Sequence, residues 1–213
     1  MRDTDALIGE LVGNLQPVRP LSFGRGFALA VGAAALSALA VIGLFGLRPD
    51  VLSGRFDAVY LLASGLFLML GLAATVAVIV MSRPQVGNDH SGWVWSAAMT
   101  ALLPVAALIV AFGRGAQGVD AAVARHGLEC LALGSGFAVL VFAVLTGWLR
   151  MGAPTSPARA GLVTGVAAGS LGIFAFSLHC ADNDIVHIGL WHSAVVVVMA
   201  AVGRAIIPRL VRW

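Results

Sequence analysis

The chain has 213 residues, of which 60% are hydrophobic and 11% are charged, and its formal net charge is +3 at pH 7. Soluble globular domains carry about 25% charged residues, so this composition excludes an ordinary soluble domain. All 13 basic residues are arginines. In so apolar a chain, this excess indicates membrane topology rather than direct binding of nucleic acid.

The first predicted element is a short amphipathic helix within an N-terminal arm, residues 1–25. Pro17 marks its end. Such a short helix is marginally stable alone, so its apolar stripe needs a surface to rest on. Its polar side is acidic, whereas helices that lie on membranes usually carry Lys and Arg, so we favour a groove on a basic protein partner. The stripe at helical spacing consists of Leu7, Ile8, Leu11, Val12 and Leu15.

Six apolar stretches follow, and each is close to or above the roughly 20 residues that a helix needs to cross about 30 Å of hydrocarbon. They span residues 26–47, 58–81, 93–113, 131–149, 160–178 and 187–207. Because lipid offers no hydrogen-bond partners to the backbone, these stretches should be helices. The fifth carries Gly161, Gly165 and Gly169, a spacing that lets helix backbones approach closely. The sequence therefore predicts an all-α polytopic membrane protein, with six transmembrane helices forming one sensor domain over residues 26–213.

The arginines orient this bundle, because cytoplasmic loops carry the positive excess. With the N-terminus inside, nine arginines are cytoplasmic and four lie on the opposite side: Arg48, Arg55, Arg114 and Arg125. We therefore expect both termini in the cytoplasm and a location in a bacterial inner membrane. This orientation puts both cysteines and four of the five histidines at the outer surface, and only His90 inside.

The outer side gathers groups that bind soft metal ions or react with oxidants. The motif HGLEC places a histidine, a glutamate and a cysteine on one face of the fourth helix. The motif LHCADND, before the sixth helix, adds further histidine, cysteine and aspartate side chains. Thiolate and imidazole ligands suit Zn, Cd or Cu(I). The candidate metal ligands are His126, Glu129, Cys130, His179, Cys180, Asp182, Asp184 and His187.

The sequence leaves several alternatives open at this cluster. His187 and His192 are five residues apart, about 140° around a regular helix, so we favour His187 as the ligand. Two cysteines in an oxidising compartment also form structural disulfides. The aspartates also fit a turn that caps the last helix, and Trp191 and His192 also fit interfacial packing.

Cys130 and Cys180 are the predicted sensor thiols. A thiol beside an imidazole ionises more readily and reacts faster with metals and oxidants. No resident cofactor is expected beyond a transient heavy-metal ion at these two residues. An enzymatic alternative, a membrane thiol oxidoreductase, normally uses a CxxC-type pair, and the sequence has none. A metal transporter would place ionisable side chains near the membrane midplane, where these stretches are almost bare of charge.

Several segments together resemble the NrsF-type family of negative regulators. They are DALIGELVGNLQPVRP, GLRPD, RMGAPTSPARAG, LHCADND followed by WH, and the closing RLVRW. The resemblance covers essentially the whole chain and implies a six-helix inner-membrane anti-sigma factor rather than an enzyme. It implies that the cytoplasmic arm keeps an extracytoplasmic-function sigma factor from RNA polymerase. It also implies that the outer cysteines, here Cys130 and Cys180, sense stress such as heavy-metal exposure and thereby release the sigma factor.

Overall fold

The computed structural model describes residues 4–13, 15, 21–84, 92–114 and 121–211, and all regular structure in this part of the chain is helical. Pro17 and His90 lie outside the described residues. The helices, in chain order, are α1 (Thr4–Gly13), α2 (Phe23–Phe45), α3 (Pro49–Leu52), α4 (Ala58–Met81), α5 (Gly92–Arg114), α6 (Ala121–Met151), α7 (Pro157–Ser177), α8 (Ile185–His187) and α9 (Ser193–Leu210). A π-helical turn, Ile188–His192, joins α8 to α9. The all-α prediction is therefore confirmed.

Five helical segments are long and apolar enough to cross a membrane, which makes a multi-pass membrane protein the natural interpretation. They are Phe23–Phe45, Ala58–Met81, Arg125–Met151, Pro157–Ser177 and Ile185–Leu210. The helix α5 has 23 residues, and the described apolar segment within it is Ala101–Gly113. A sixth span through α5 stays a prediction.

The core of the bundle is α7, most of whose side chains are buried. It packs against α2, α4, α6 and α9. Glycine permits the closest of these contacts: a Cβ at Gly165 would collide with the carbonyl oxygen of Met199 on α9, and one at Gly161 with that of Gly203. Glycines spaced by four thus bring α7 and α9 together, as the sequence predicted.

One end of the bundle, here called the cysteine end, holds both thiols. After α2, the backbone N–H of Arg48 donates to the carbonyl oxygen of Leu178 after α7, at 3.0 Å. Asp57 begins α4 there as its N-cap, because its carboxylate accepts from two backbone N–H groups of the first turn. Cys130 of α6 meets Cys180 at the same end. The loops after α2 and α7 and the N-terminal part of α6 therefore lie together.

The opposite end, here called the terminal end, holds the start of α2 and the end of α9. Arg83, after α4, donates to the carbonyl oxygen of Leu21, just before α2, at 3.2 Å. Trp148 near the end of α6 donates through Nε1 to Oγ of Ser82 at 3.2 Å. The last turns of α9 pack beside the start of α7. The chain therefore enters the bundle at the end opposite the thiols, and α9 finishes there too.

Candidate metal centre

Four of the predicted ligands converge at the cysteine end. His126 and Cys130 come from α6, Cys180 from the loop after α7, and His187 from α8, and their ligand atoms all lie within 4.8 Å of one another. Sγ of Cys130 is 3.8 Å from Sγ of Cys180 and 4.0 Å from Nε2 of His126. Sγ of Cys180 is 3.8 Å from Nε2 of His187. These four residues are called the Cys/His cluster below.

The spacing within the Cys/His cluster fits one tetrahedral metal ion. Two sulfurs bound to zinc at about 2.3 Å each lie about 3.8 Å apart, and the observed separation is 3.8 Å. A disulfide would need about 2.05 Å, and both cysteines are free in this structure. Two thiols with two imidazoles form a donor set typical of zinc. The cluster could therefore hold a divalent ion without large rearrangement.

Three of the cluster's members are shielded from solvent, and one is not. Cys130, Cys180 and His187 are buried, whereas His126 is exposed. A cavity of about 470 Å³ adjoins them, and its lining includes both thiols, His126 and the apolar side chains of Phe45 and Leu133. The cavity gives a small ion or oxidant a route to the sulfurs.

Cys180 is the more acidic thiol of the pair. The hydrogen bond from the Cys130 thiol lowers the pKa of Cys180 below its ordinary value, although burial acts in the opposite direction. The contact from His187 and the nearby imidazole of His192 lower this pKa further. Because the thiolate is the metal ligand and the nucleophile, Cys180 is the sulfur best prepared for either reaction.

The other four candidate ligands lie outside the cluster. Oδ2 of Asp182 is 3.4 Å from Nδ1 of His187, the ring nitrogen that does not contact Cys180. Asp184 accepts from the backbone N–H of Val186 and caps α8, as one of the alternatives predicted. Glu129 is exposed. His179 turns towards the α2 side, with Nδ1 at 3.2 Å from the carbonyl oxygen of Gly46.

His192, set aside in the sequence analysis, lies beside the cluster. Its ring centroid is 5.2 Å from that of His187, and the side chain is buried. The separation of about 140° assumed a regular α-helix, but the π-helical turn over Ile188–His192 brings residues five apart onto one face. The two rings therefore lie side by side, although only His187 belongs to the Cys/His cluster, in agreement with the preference for His187 as the ligand. No feature of the local sequence IGLWH predicts a π-helical turn. The only signal that the sequence offered for a role of His192 at the site was therefore the presence of a second histidine.

Arg48 is a second residue whose role at the site the sequence analysis missed. Its guanidinium is buried and donates to the carbonyl oxygen of Cys180 at 2.8 Å. It also makes two 2.6 Å hydrogen bonds to the carboxylate of Asp50 and one of 2.7 Å to Asn183, and lies 4.0 Å from the ring centroid of Tyr60. The Arg48 guanidinium holds the pKa of Asp50 below its ordinary value. The sequence did offer one signal for this role of Arg48: an aspartate follows it two residues later, and both stand beside an apolar helix.

The predicted partner stripe of α1 lies away from the bundle's core. All five of its side chains are exposed, and none of α1's residues is buried. Four of the five lie on α1, whereas Leu15, which the sequence placed on the same helix, lies beyond the end of α1 at Gly13. The exposed fractions are 44% for Leu7, 52% for Ile8, 62% for Leu11, 60% for Val12 and 74% for Leu15. Four neighbouring exposed apolar side chains on α1, with Leu15 just beyond it, form an apolar surface outside the five apolar spans, and its role in binding a partner stays a prediction.

Comparisons with known proteins find relatives over nearly the whole chain. The family model described as NrsF, negative regulator of sigma F, matches residues 11–213. The anti-sigma-F factor NrsF of Caulobacter vibrioides is 29% identical, over 98% of this chain and 97% of its own length. The probable anti-sigma-F factor NrsF of Azospira oryzae is 27% identical, over 99% of both chains. No solved structure matches. The chain therefore belongs to the NrsF family, whose members are anti-sigma regulators rather than enzymes.

Proposed function

We propose that this chain holds an extracytoplasmic-function sigma factor at the inner membrane and releases it when the Cys/His cluster captures a soft metal ion or is oxidised. Residues 1–25 act as the binding arm in this proposal, and residues 26–213 as the sensor domain. The single observation that carries the sensing role is the pair of free thiols 3.8 Å apart between two imidazoles. Family membership supports a sigma factor as the partner.

Six membrane crossings would explain why α2 begins and α9 ends at the same end of the bundle. If α5 crosses the membrane with the five other spans, the chain returns to the side on which it started. This agrees with the start of α2 and the end of α9 at the terminal end. The arginine distribution then puts both termini in the cytoplasm and the Cys/His cluster at the periplasmic surface.

The cluster joins three elements that are separate in the chain. A bound divalent ion would link both sulfurs and both imidazoles, and so tie α6 to the loop after α7 and to α8. Oxidation would do the same with one bond: the two thiols lose two protons and pass two electrons to the oxidant, and the sulfurs close from 3.8 Å to about 2.05 Å. Either event favours one arrangement of these elements over another. Moving a two-state equilibrium from 1:99 to 99:1 needs about 5.5 kcal/mol of differential binding.

The binding role of α1 is tested by placing a charge in its stripe. Leu11→Asp should abolish co-purification of the sigma factor with the tagged full-length protein, because a carboxylate cannot enter an apolar groove without a large desolvation cost. Leu52→Asp is the matched control, since Leu52 is at least as exposed as Leu11 but lies in α3 at the cysteine end. Retention of the sigma factor by the Leu11→Asp variant would show that α1 is not the binding element.

The sensing role is tested by removing both sulfurs. Cys130→Ser with Cys180→Ser should leave sigma-factor retention intact and make it insensitive to cadmium, because hydroxyl groups are poor ligands for soft ions. The measurement is the amount of sigma factor eluted from immobilised protein with and without cadmium. Cadmium-induced release that persists in the double variant would remove the sensor role from these thiols.

A further inference from the structure

We infer that His192 is a fifth donor of the metal centre, and that it takes the place of the exposed His126 when a divalent ion of the zinc and cadmium class moves towards the core. This inference rests on the proposed capture of metal by the Cys/His cluster. It adds a ligand from the π-helical turn before α9 to a set otherwise drawn from α6, α8 and the loop after α7.

The first observation concerns the backbone between His187 and His192. Between His187 and His192 the helix leaves α-helical geometry for one π-helical turn, Ile188–His192. Such turns are rare and occur frequently at functional sites. In a regular helix the two rings would point about 140° apart. The consequence of the π turn is that the His192 ring lies beside that of His187, which contacts the Cys180 thiol.

The His192 side chain is the second observation. His192 is 3% exposed, and its Nε2 is buried without a hydrogen-bond partner among the described residues. Buried polar atoms in proteins almost always have a partner, and lipid surroundings make an exception more costly. A buried imidazole nitrogen with no partner, next to a thiol pair, is therefore suited to accept a metal ion.

The arrangement of the three rings is the third observation. His187 lies in the middle, with its ring centroid 5.1 Å from that of His126 and 5.2 Å from that of His192. His126 is exposed, whereas His192 is buried. Exchanging one for the other keeps two sulfurs and two imidazoles around the ion. The outer set of ligands consists of both cysteines, His187 and the exposed His126. The inner set, in which His192 replaces His126, consists of buried residues only.

The test uses Co²⁺ as the probe, titrated into the detergent-solubilised full-length chain. Thiolate-to-cobalt charge-transfer bands report sulfur ligation, and the intensity of the visible bands reports tetrahedral geometry. His126→Ala should keep the tetrahedral spectrum and lose less than about tenfold in affinity, since His192 replaces the lost imidazole. His126→Ala combined with His192→Phe should lose the tetrahedral spectrum and at least about a hundredfold in affinity, beyond the 10–100-fold effect usual for outer-shell changes.

Two controls separate the outcomes. Phenylalanine at position 192 keeps an aromatic ring next to Phe67, whose centroid is 6.4 Å away, so folding is preserved while the nitrogen is removed. His179→Ala removes a histidine that lies outside the cluster, and it should leave the spectrum unchanged. If the unmodified protein shows no charge-transfer band, the metal-binding function itself fails. If it binds Co²⁺ but His126→Ala alone abolishes tetrahedral geometry, or if His192→Phe adds nothing to His126→Ala, only the role of His192 is overturned.

Discussion

At the scale of single residues, Asp182 supports the cluster from outside. Its carboxylate is 3.4 Å from Nδ1 of His187, while Nε2 of the same ring faces Cys180. A carboxylate behind a histidine fixes the ring orientation and raises the basicity of the metal-binding nitrogen. Asp182 was one of eight candidate ligands, and its position beside Nδ1 of His187 suits this supporting role.

Asp182→Asn should therefore weaken zinc binding about tenfold, because the amide orients the ring but does not raise its basicity as a carboxylate does. Competition titration against a chromophoric chelator measures the change. Asp184→Asn is the control, since asparagine caps helices about as well as aspartate and Asp184 acts as the cap of α8. Equal losses in the two variants would mean that the loop as a whole, rather than the Asp182 carboxylate, supports the site.

At the scale of secondary-structure elements, Arg48 fastens the end of α2 to the loop that carries Cys180. Its guanidinium contacts the Cys180 carbonyl, the Asp50 carboxylate and the Asn183 amide oxygen. A displacement of Cys180 therefore acts on α2 through a buried, multiply bonded side chain. At its other end, α2 begins where the N-terminal arm joins the bundle, so it is the direct physical link between the cluster and the arm.

Arg48→Gln should lower the free energy of unfolding by about 1.5–3 kcal/mol, the usual cost of losing hydrogen bonds to a charged group. It should also weaken cadmium-induced release of the sigma factor, since Gln cannot hold the Cys180 carbonyl and Asp50 together. Thermal unfolding in detergent and the release assay measure the two effects. Arg55→Gln changes an exposed arginine of the same loop. It should alter neither the free energy of unfolding nor the cadmium-induced release. Indistinguishable behaviour of the two variants would exclude a clamp at Arg48.

The elements also show how much of this site the sequence could predict. Local spacing was enough for His126 and Cys130, because residues four apart share a helix face in any regular helix. Local spacing was also enough for Gly161 and Gly165, which pack against α9. It failed at His192, where the helix is not regular, and at Arg48, whose partners come from three separate elements. The helix α6 also begins at Ala121, well before the apolar stretch at 131–149, because its first turns do not need to be apolar beyond the hydrocarbon.

At the scale of the whole molecule, the Cys/His cluster lies at one end of a bundle with one buried central helix, and the start of α2, which follows the proposed binding arm in the chain, lies at the other. A signal crosses such a bundle when packed elements can adopt two discrete arrangements and events at either end shift the equilibrium between them. The tight backbone contacts between α7 and α9 make that pair the fixed part. By contrast, α2 buries only small residues and Val41 along its length, so it can shift against the pair at low cost. We therefore expect metal capture to move α2 relative to α7 and α9.

This arrangement requires the cysteine end to face away from the cytoplasm, and paired single-cysteine variants can check that. In a chain with Cys130 and Cys180 replaced by Ser, Ser53→Cys places an exposed thiol at the cysteine end, and Thr155→Cys places one at the terminal end. Position 53 should react with a membrane-impermeant maleimide in intact spheroplasts, and position 155 only after permeabilisation, because a charged reagent cannot cross the hydrocarbon layer. The reverse pattern would turn the thiols towards the cytoplasm, where a reducing environment and the sigma factor share one compartment. Sensing of external metal across the membrane would then have no physical basis, and α2 would no longer carry a signal from one side to the other.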